Sequence, residues 1–259
     1  MTAAMLEQPI RLPEIGNPQA AIRQLIFETE WQDFPYGMHG TGFLALWDEM
    51  LFLVTAAHCM QEGQQNTLRI PIRPGDANVM AFGKFMTFQV PGEKSRDSDI
   101  AALSIQPASW LDRYDMREAA IPIPGTFSLD SILGAVKVRN LGVESVILRA
   151  AGFPRLAQES RIDLAEKRIV SQPMEVVLRY QRRSTVTNRH LGEIVQSPLE
   201  DLDGMSGSPV FLRTSRPEEG PRRYVFVGML VRASSSIAEF VSADLIRDAL
   251  QRAVVALRP

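Results

Sequence analysis

The feature that most constrains the fold of this chain is a series of short apolar or alternating runs separated by turn residues. One run covers residues 42–47, an Asp-Glu pair follows as a turn, and the next run covers 50–54. Similar runs cover 67–72, 79–82, 86–90 and 100–105. Runs of this length, broken by turn signals, are typical of the strands of a β-barrel or sandwich.

The same rhythm returns in the second half of the chain. Strands are predicted at 135–138, 145–150, 174–180, 192–196, 210–212 and 224–231. Between the two series, residues 107–124 carry several charges and an Ile-Pro-Ile-Pro segment, and we interpret them as a linker. The polar stretch 213–223, which contains glycine and prolines, is predicted to be an exposed hairpin loop.

The two ends of the chain differ from this pattern. Residues 1–37 are interpreted as an N-terminal extension, in which Asn17 and Pro18 predict the start of a short helix through Ile22, Leu25 and Ile26. Residues 242–259 predict an amphipathic helix, because apolar residues recur with helical spacing from 245 to 257. Ser242 is placed to cap this helix, and Asp244 lies in its first turn. The organisation is therefore two β-rich halves, 38–106 and 125–241, and a C-terminal helix.

Composition excludes several classes of function. The net charge of −2 gives no electrostatic reason to bind nucleic acid. No apolar stretch approaches the roughly 18 to 20 residues of a membrane span, and the first residues lack the pattern of a secretory signal. The single cysteine cannot form an intramolecular disulfide, so a cytoplasmic location is expected.

The segment Val-Thr-Ala-Ala-His-Cys-Met, residues 54–60, raises the question of chemistry. A thiol-rich metal site or a redox pair needs more cysteines than Cys59, and His39 and His190 show no metal-ligand spacing with His58. We therefore expect no metal and interpret Cys59 as a small buried apolar residue. His58 remains either a catalytic base or a buried, hydrogen-bonded residue.

Three local stretches together favour catalysis. They are Thr-Ala-Ala-His-Cys with His58, Asp-Ile-Ala-Ala-Leu with Asp99, and Gly-Met-Ser-Gly-Ser-Pro with Ser206. A serine nucleophile needs a base, and the base needs an acid that orients it. Glycines near the serine let backbone N–H groups reach a reacting carbonyl, and we expect those of Gly204 and Ser206 to stabilise an oxyanion. Taken singly, the three residues could be a buried histidine, a turn aspartate and a turn serine.

The order His, Asp, Ser and these motifs resemble those of bacterial trypsin-like serine peptidases of the chymotrypsin family. The likeness spans about residues 38–241 and favours Asp99 over Asp97 as the acid. It implies an all-β fold of two six-stranded antiparallel β-barrels, with His58 and Asp99 on the first and Ser206 on the second. It also implies a serine endopeptidase that forms an acyl-enzyme, acts on a protein or peptide substrate and needs no cofactor.

Departures from the family pattern bear on specificity and control. Cys59 lacks the disulfide partner of digestive members, Met205 stands where their activating acid lies, and Ser208 replaces a glycine. Activation by an N-terminal amine is therefore not expected.

The resemblance also proposes substrate-binding residues, namely Glu200, Asp201, Val231, Arg232 and Ala233. If Glu200 and Asp201 face the substrate, they predict cleavage after Lys or Arg. If they do not, they are only solvated acids of a loop. The alternative to an active enzyme is a binding or regulatory module with this fold, inactive or awaiting an activating protein partner.

Overall fold

The computed structural model describes most of the chain. The described residues are 15–30, 32, 36–60, 66–74, 79–88, 99–107, 109–123, 129–138, 146–155, 162–163, 165, 168–169, 171–186, 188–213 and 223–258.

The first half forms an open, mainly antiparallel sheet. Its strands are β1 (Ile22–Glu28), β2 (Tyr36–Trp47), β3 (Met50–Ala56), β4 (Leu68–Pro71), β5 (Val79–Met80), β6 (Phe85–Phe88), β7 (Ile100–Ser104) and β8 (Ile121–Pro122). They lie in the order β5-β4-β1-β2-β3-β7-β6, and β8 pairs with β2. Asp48 and Glu49 form the predicted turn between β2 and β3, with φ values of 50° and 65°. Two such residues give a tight turn whose twist matches that of the flanking strands.

The second half contains a closed six-stranded antiparallel barrel. Its strands are β9 (Ile147–Gly152), β12 (Met174–Arg183), β13 (Arg189–Gln196), β14 (Pro209–Arg213), β15 (Tyr224–Ala233) and β16 (Ile237–Ser242). They close in the order β12-β13-β16-β15-β14-β9. A small separate sheet consists of β10 (Ile162–Asp163) and β11 (Arg168–Ile169). The all-β prediction is confirmed, and one of the two predicted barrels is present, whereas the described strands of the first half form an open sheet.

The described residues include three α-helices beside the sheets. They are α1 (Trp110–Ala119), α2 (Leu129–Val138) and α3 (Ala243–Leu257). The predicted C-terminal helix is confirmed as α3, and the Ser242 side chain accepts a hydrogen bond from the Leu245 N–H at its start. Among the described residues, no helix is long and apolar enough to cross a membrane.

The structure differs from the predicted boundaries at three places. The predicted helix through Ile22, Leu25 and Ile26 is wrong, because a 3-10 turn ends at Ala21 and β1 follows. This strand pairs with β2, so the first sheet begins within the segment 1–37 that was interpreted as an extension. The segment interpreted as a linker, 107–124, contains α1, whose start is capped by Ser109. The strand predicted at 135–138 is instead the end of α2.

Two main apolar cores stabilise the molecule. One lies under the first sheet and includes residues of α3, among them Leu245, Ile246 and Leu250. Phe226 of β15 also belongs to this core, and its ring lies 5.3 Å from that of Phe43 on β2. The other core fills the closed barrel and includes Phe240. Packing of β15 and α3 against the first sheet therefore joins the two halves.

The barrel core yields a prediction about stability. Phe240 on β16 is fully buried, and its ring stacks on His190 at 5.4 Å. We expect Phe240→Ala to lower the free energy of unfolding by about 3–5 kcal/mol, because it leaves a cavity that the strands cannot close. Urea denaturation followed by circular dichroism measures this change.

A matched control lies on the same strand. Ile237 is 52% exposed, so Ile237→Ala should change the free energy of unfolding by no more than about 0.5 kcal/mol. Equal losses for the two variants would contradict the placement of Phe240 inside the barrel.

Candidate active site

His58 lies in a 3-10 turn directly after a buried strand. Strand β3 ends at Ala56, and the turn covers Ala57–Cys59. Antiparallel pairing joins Ala56 to Ile100, the first residue of β7, so Asp99 lies beside this turn. The Ala57 N–H donates to the Asp99 backbone carbonyl at 3.0 Å. Strand pairing thus brings together two residues that are 41 positions apart in the chain.

The Asp99 side chain is held by two hydrogen bonds from His58. One carboxylate oxygen accepts from the His58 backbone N–H at 3.0 Å, and the other lies 2.8 Å from His58 Nδ1. The Asp99 side chain is 7% exposed, whereas that of His58 is 49% exposed. An ionised carboxylate can only accept, so Nδ1 carries the proton of this bond. The other ring nitrogen, Nε2, is then free to accept a proton.

The contacts of the His58 ring favour its charged form. The hydrogen bond to Asp99, followed by one to the Cys59 side chain, raises the pKa of His58 from 6.5 to about 10. Burial opposes this shift because it removes water from the cation. Half of the ring remains exposed, so water screens part of the attraction.

Ser206 lies in a loop, residues 202–208, that we call the nucleophile loop because the sequence predicts Ser206 as the nucleophile. The Met205 N–H donates to the Leu202 carbonyl, and the Ser208 N–H donates to the Met205 carbonyl, both at 3.0 Å. The Gly207 N–H donates to the carbonyl of Leu230 on β15, and the Leu230 N–H donates to the Ser208 carbonyl, both at 2.8 Å. These bonds fix the loop against β15, immediately before β14 begins.

The Ser206 hydroxyl donates to the Val231 carbonyl at 3.2 Å. Val231 is free for this contact because the register of β15 against β16 shifts between Leu230 and Arg232. Such a bulge takes a residue out of the strand ladder and often lies next to a functional site. Within the described residues, no hydrogen bond joins the Ser206 hydroxyl to the His58 ring.

Ser206 nevertheless lies against the turn that holds His58. The Ser206 carbonyl accepts from the Thr41 N–H at 3.3 Å and from the Cys59 Sγ at 3.8 Å. Cys59 is 5% exposed, as predicted for a buried apolar residue. The structure therefore pairs His58 with Asp99 and places the residue next to His58 in contact with Ser206.

The two backbone amides expected to stabilise an oxyanion, those of Gly204 and Ser206, have no acceptor among the described residues. Neither the Gly204 N–H nor the Ser206 N–H donates a hydrogen bond within the described part of the chain. The Asp203 carbonyl accepts from the Arg155 N–H at 2.7 Å, and no peptide bond there is cis. Because C=O and N–H point in opposite directions across a trans peptide, this bond turns the Gly204 N–H away from Arg155.

A cavity of about 220 Å³ opens beside Gly204, between β1, β2 and the segment 153–155. Gln24 and His39 line it, and each has a buried side-chain nitrogen with no hydrogen-bond partner in the structure. Burial lowers the pKa of His39. No local pattern in the sequence connects Gln24, His39 or Arg155 with Gly204, so the sequence predicts no catalytic role for these three residues.

The residues proposed for substrate specificity are dispersed. Glu200 and Asp201 are exposed, and the Asp201 side chain accepts a hydrogen bond from the Asp203 N–H at 2.9 Å. Val231 is buried beside Ser206, Arg232 is exposed, and Ala233 is partly buried at the end of β15. No group of three or more potential metal ligands occurs among the residues that the structure describes.

The three histidines provide a test of the His58–Asp99 pair that needs no activity. Burial lowers the pKa of His39 and of His190, whereas Asp99 raises that of His58. In an NMR titration we expect one histidine to titrate above pH 6.5 and two below it. Asp99→Asn should move the high value down towards 6.5, because the neutral amide no longer stabilises the cation.

The titration of His190 is the internal control and should stay unchanged. The sign of the effect on stability follows from the raised pKa. The pair should stabilise the fold fully below pH 6.5, and this contribution should disappear as pH rises through the folded-state pKa of His58. Three histidines that all titrate below 6.5 in the wild type would contradict the observed pairing.

The chemistry of the site has to be inferred from its own side chains. A scan against models of protein families matches none of them, and a search of curated proteins finds no significant match to the chain.

Proposed function

We propose that the protein is a serine endopeptidase that hydrolyses peptide bonds through Ser206, His58 and Asp99. The observation that carries the proposal is the Nδ1–carboxylate bond of 2.8 Å in a turn that contacts the nucleophile loop. With Nδ1 bonded to Asp99, Nε2 is the atom that can take the Ser206 proton. The resemblance of the three motifs to those of trypsin-like peptidases supports the same roles.

The first step requires the Ser206 hydroxyl to leave Val231. In the resting geometry it donates to the Val231 carbonyl, so it has to rotate about its Cα–Cβ bond to reach His58. A substrate backbone that pairs with β15 beyond Met229, where its pairing with β14 ends, would offer an N–H to the Val231 carbonyl and so release the hydroxyl. Rotation of one partly exposed side chain is fast compared with turnover.

The chemical steps then follow from the site. Ser206 Oγ attacks the peptide carbonyl as His58 Nε2 takes its proton, and Asp99 stabilises the resulting imidazolium. The N–H groups of Gly204 and Ser206 donate to the oxyanion. His58 returns the proton to the leaving amine, and the acyl-enzyme is hydrolysed by water that His58 activates in the same way. No metal ion or organic cofactor takes part in this scheme.

A fluorophosphonate probe tests the activated nucleophile directly. We expect it to label the wild type at one serine, and Ser206→Ala to abolish labelling because the nucleophile is gone. His58→Ala should lower the labelling rate at least about 100-fold, because general base catalysis contributes roughly 10²–10⁴. Mass spectrometry of the labelled protein identifies the modified residue.

Ser208→Ala is the matched control, since Ser208 belongs to the same loop and is fully buried. The Ser208→Ala variant should still be labelled by the probe at Ser206. If the folded wild type is not labelled, the proposal is wrong for the isolated chain. That result would favour the alternative, a binding or regulatory module that is inactive or needs an activating partner.

Preference for a basic residue before the cleaved bond is a separate proposal. It rests on Glu200 and Asp201, whose exposed carboxylates precede Ser206 by six and five positions. With a peptide library, we expect cleavage after Lys or Arg. The double variant with Glu200→Gln and Asp201→Asn should lower kcat/KM for such peptides about 2- to 5-fold, as expected for exposed ion pairs.

Asp248→Asn is the control for a general change in charge, because Asp248 lies on α3 with its side chain 52% exposed. It should leave kcat/KM unchanged. An equal preference for Lys and for neutral residues before the cleaved bond would mean that the two acids are only solvated.

A further inference from the structure

We infer that Thr41 is a positioning residue whose hydroxyl holds the nucleophile loop in the shape that oxyanion binding requires. This inference rests on the function proposed above. Thr41 lies on β2 in the first sheet, whereas the nucleophile loop belongs to the second half of the chain. Thr41 is fully buried between the two.

The Thr41 hydroxyl makes two hydrogen bonds, one to the loop and one to the segment 153–155. Oγ1 donates to the Gly204 carbonyl at 2.8 Å and accepts from the Phe153 N–H at 2.8 Å. A hydroxyl has one proton, and an amide N–H can only donate. The Phe153 contact therefore leaves the proton of Thr41 directed at Gly204.

Four successive carbonyls of the loop, those of residues 203 to 206, accept hydrogen bonds. The Asp203, Met205 and Ser206 carbonyls accept from the backbone N–H groups of Arg155, Ser208 and Thr41, at 2.7, 3.0 and 3.3 Å. The Gly204 carbonyl between them accepts from the Thr41 hydroxyl, and no backbone N–H of the described residues donates to it. Its peptide plane lies between the N–H groups of Gly204 and Ser206. Rotation of this plane would change how those two groups point relative to each other.

The packing leaves little room for another arrangement. Gly204 and Gly207 have φ values of 91° and 89°, which side chains other than glycine rarely adopt. A Cβ at Gly207 would lie 1.9 Å from the Thr41 carbonyl, and a Cβ at Gly152 would lie 2.8 Å from Thr41 Oγ1. If the hydroxyl were absent, the partly buried Gly204 carbonyl would lose its partner. The loop could recover one only by turning that carbonyl towards water, and so out of its present shape.

Isosteric substitution of Thr41 tests this inference. Thr41→Val keeps the volume and removes the hydroxyl, whereas Thr41→Ser keeps the hydroxyl. For the fluorophosphonate probe, we expect Thr41→Val to lower the rate constant of inactivation at saturation about 10- to 100-fold, with the apparent binding constant unchanged. Loss of an oxyanion donor costs about 10²–10³, and misalignment costs less. Thr41→Ser should stay within about 3-fold of the wild type.

Thr55→Val separates positioning from general loss of stability. The buried Thr55 hydroxyl donates to the Thr41 carbonyl at 2.7 Å and makes no hydrogen bond to the nucleophile loop. The Thr55→Val variant should lower the midpoint of urea unfolding about as much as Thr41→Val does, but it should keep the wild-type rate of labelling. Equal loss of labelling in Thr55→Val and Thr41→Val would overturn the inference, as would failure of Thr41→Ser to restore the rate.

Hydrogen–deuterium exchange decides the matter without any activity. In Thr41→Val, the amides of Met205, Gly207 and Ser208 should exchange faster than in the wild type, and in Thr41→Ser and Thr55→Val they should not. Unchanged exchange in Thr41→Val refutes the inference, whereas an unlabelled wild type refutes the proposed peptidase activity. If Thr41→Val does not fold, Thr41→Cys, which offers a weaker donor, replaces it in both measurements.

Discussion

Direct contact between backbones sets how closely the closed barrel meets the open sheet. Gly207 lies so near the Thr41 carbonyl that a Cβ would come within 1.9 Å of it, and a Cβ at Gly152 would lie 2.8 Å from Thr41 Oγ1. With no side chain between them, the Ser206 carbonyl can reach the Thr41 N–H. The distance between the His58 turn and Ser206 therefore depends on rigid strands and not on flexible side chains.

Two histidines of the first half, His39 on β2 and His58 after β3, have pKa values that shift in opposite directions. His58 shares its proton with a buried carboxylate, which raises its pKa, whereas burial lowers the pKa of His39. Repulsion from His58 further lowers the pKa of His39. Asp99 therefore stabilises a proton that the His58 ring takes up, whereas the ring that lines the cavity beside Gly204 stays neutral near neutral pH. The two histidines are 19 positions apart in the chain, and their different surroundings shift their pKa values in opposite directions.

Local patterns in the sequence explain much of the fold and part of the site. Alternating runs predicted most strands, and helical spacing predicted α3 with Ser242 as its cap. These patterns did not predict β1. Both Arg23 and Gln24 are buried in this strand, so its polar residues do not alternate with buried apolar ones. The His58–Asp99 pair was predictable because motifs mark both residues. The contacts of Thr41 with Phe153 and Gly204 span 112 and 163 positions, and no local pattern marks such distant contacts.

Helix α3 has a consequence for how the protein is made. Its apolar side chains complete the core beneath the first sheet, yet they follow the whole closed barrel in the chain. Because a ribosome releases the chain from the N-terminus, the first sheet has to wait for residues 245–254 before its core can close. The sheet that carries His58 and Asp99 therefore matures after Ser206 has been synthesised, and the two parts of the site become ordered together.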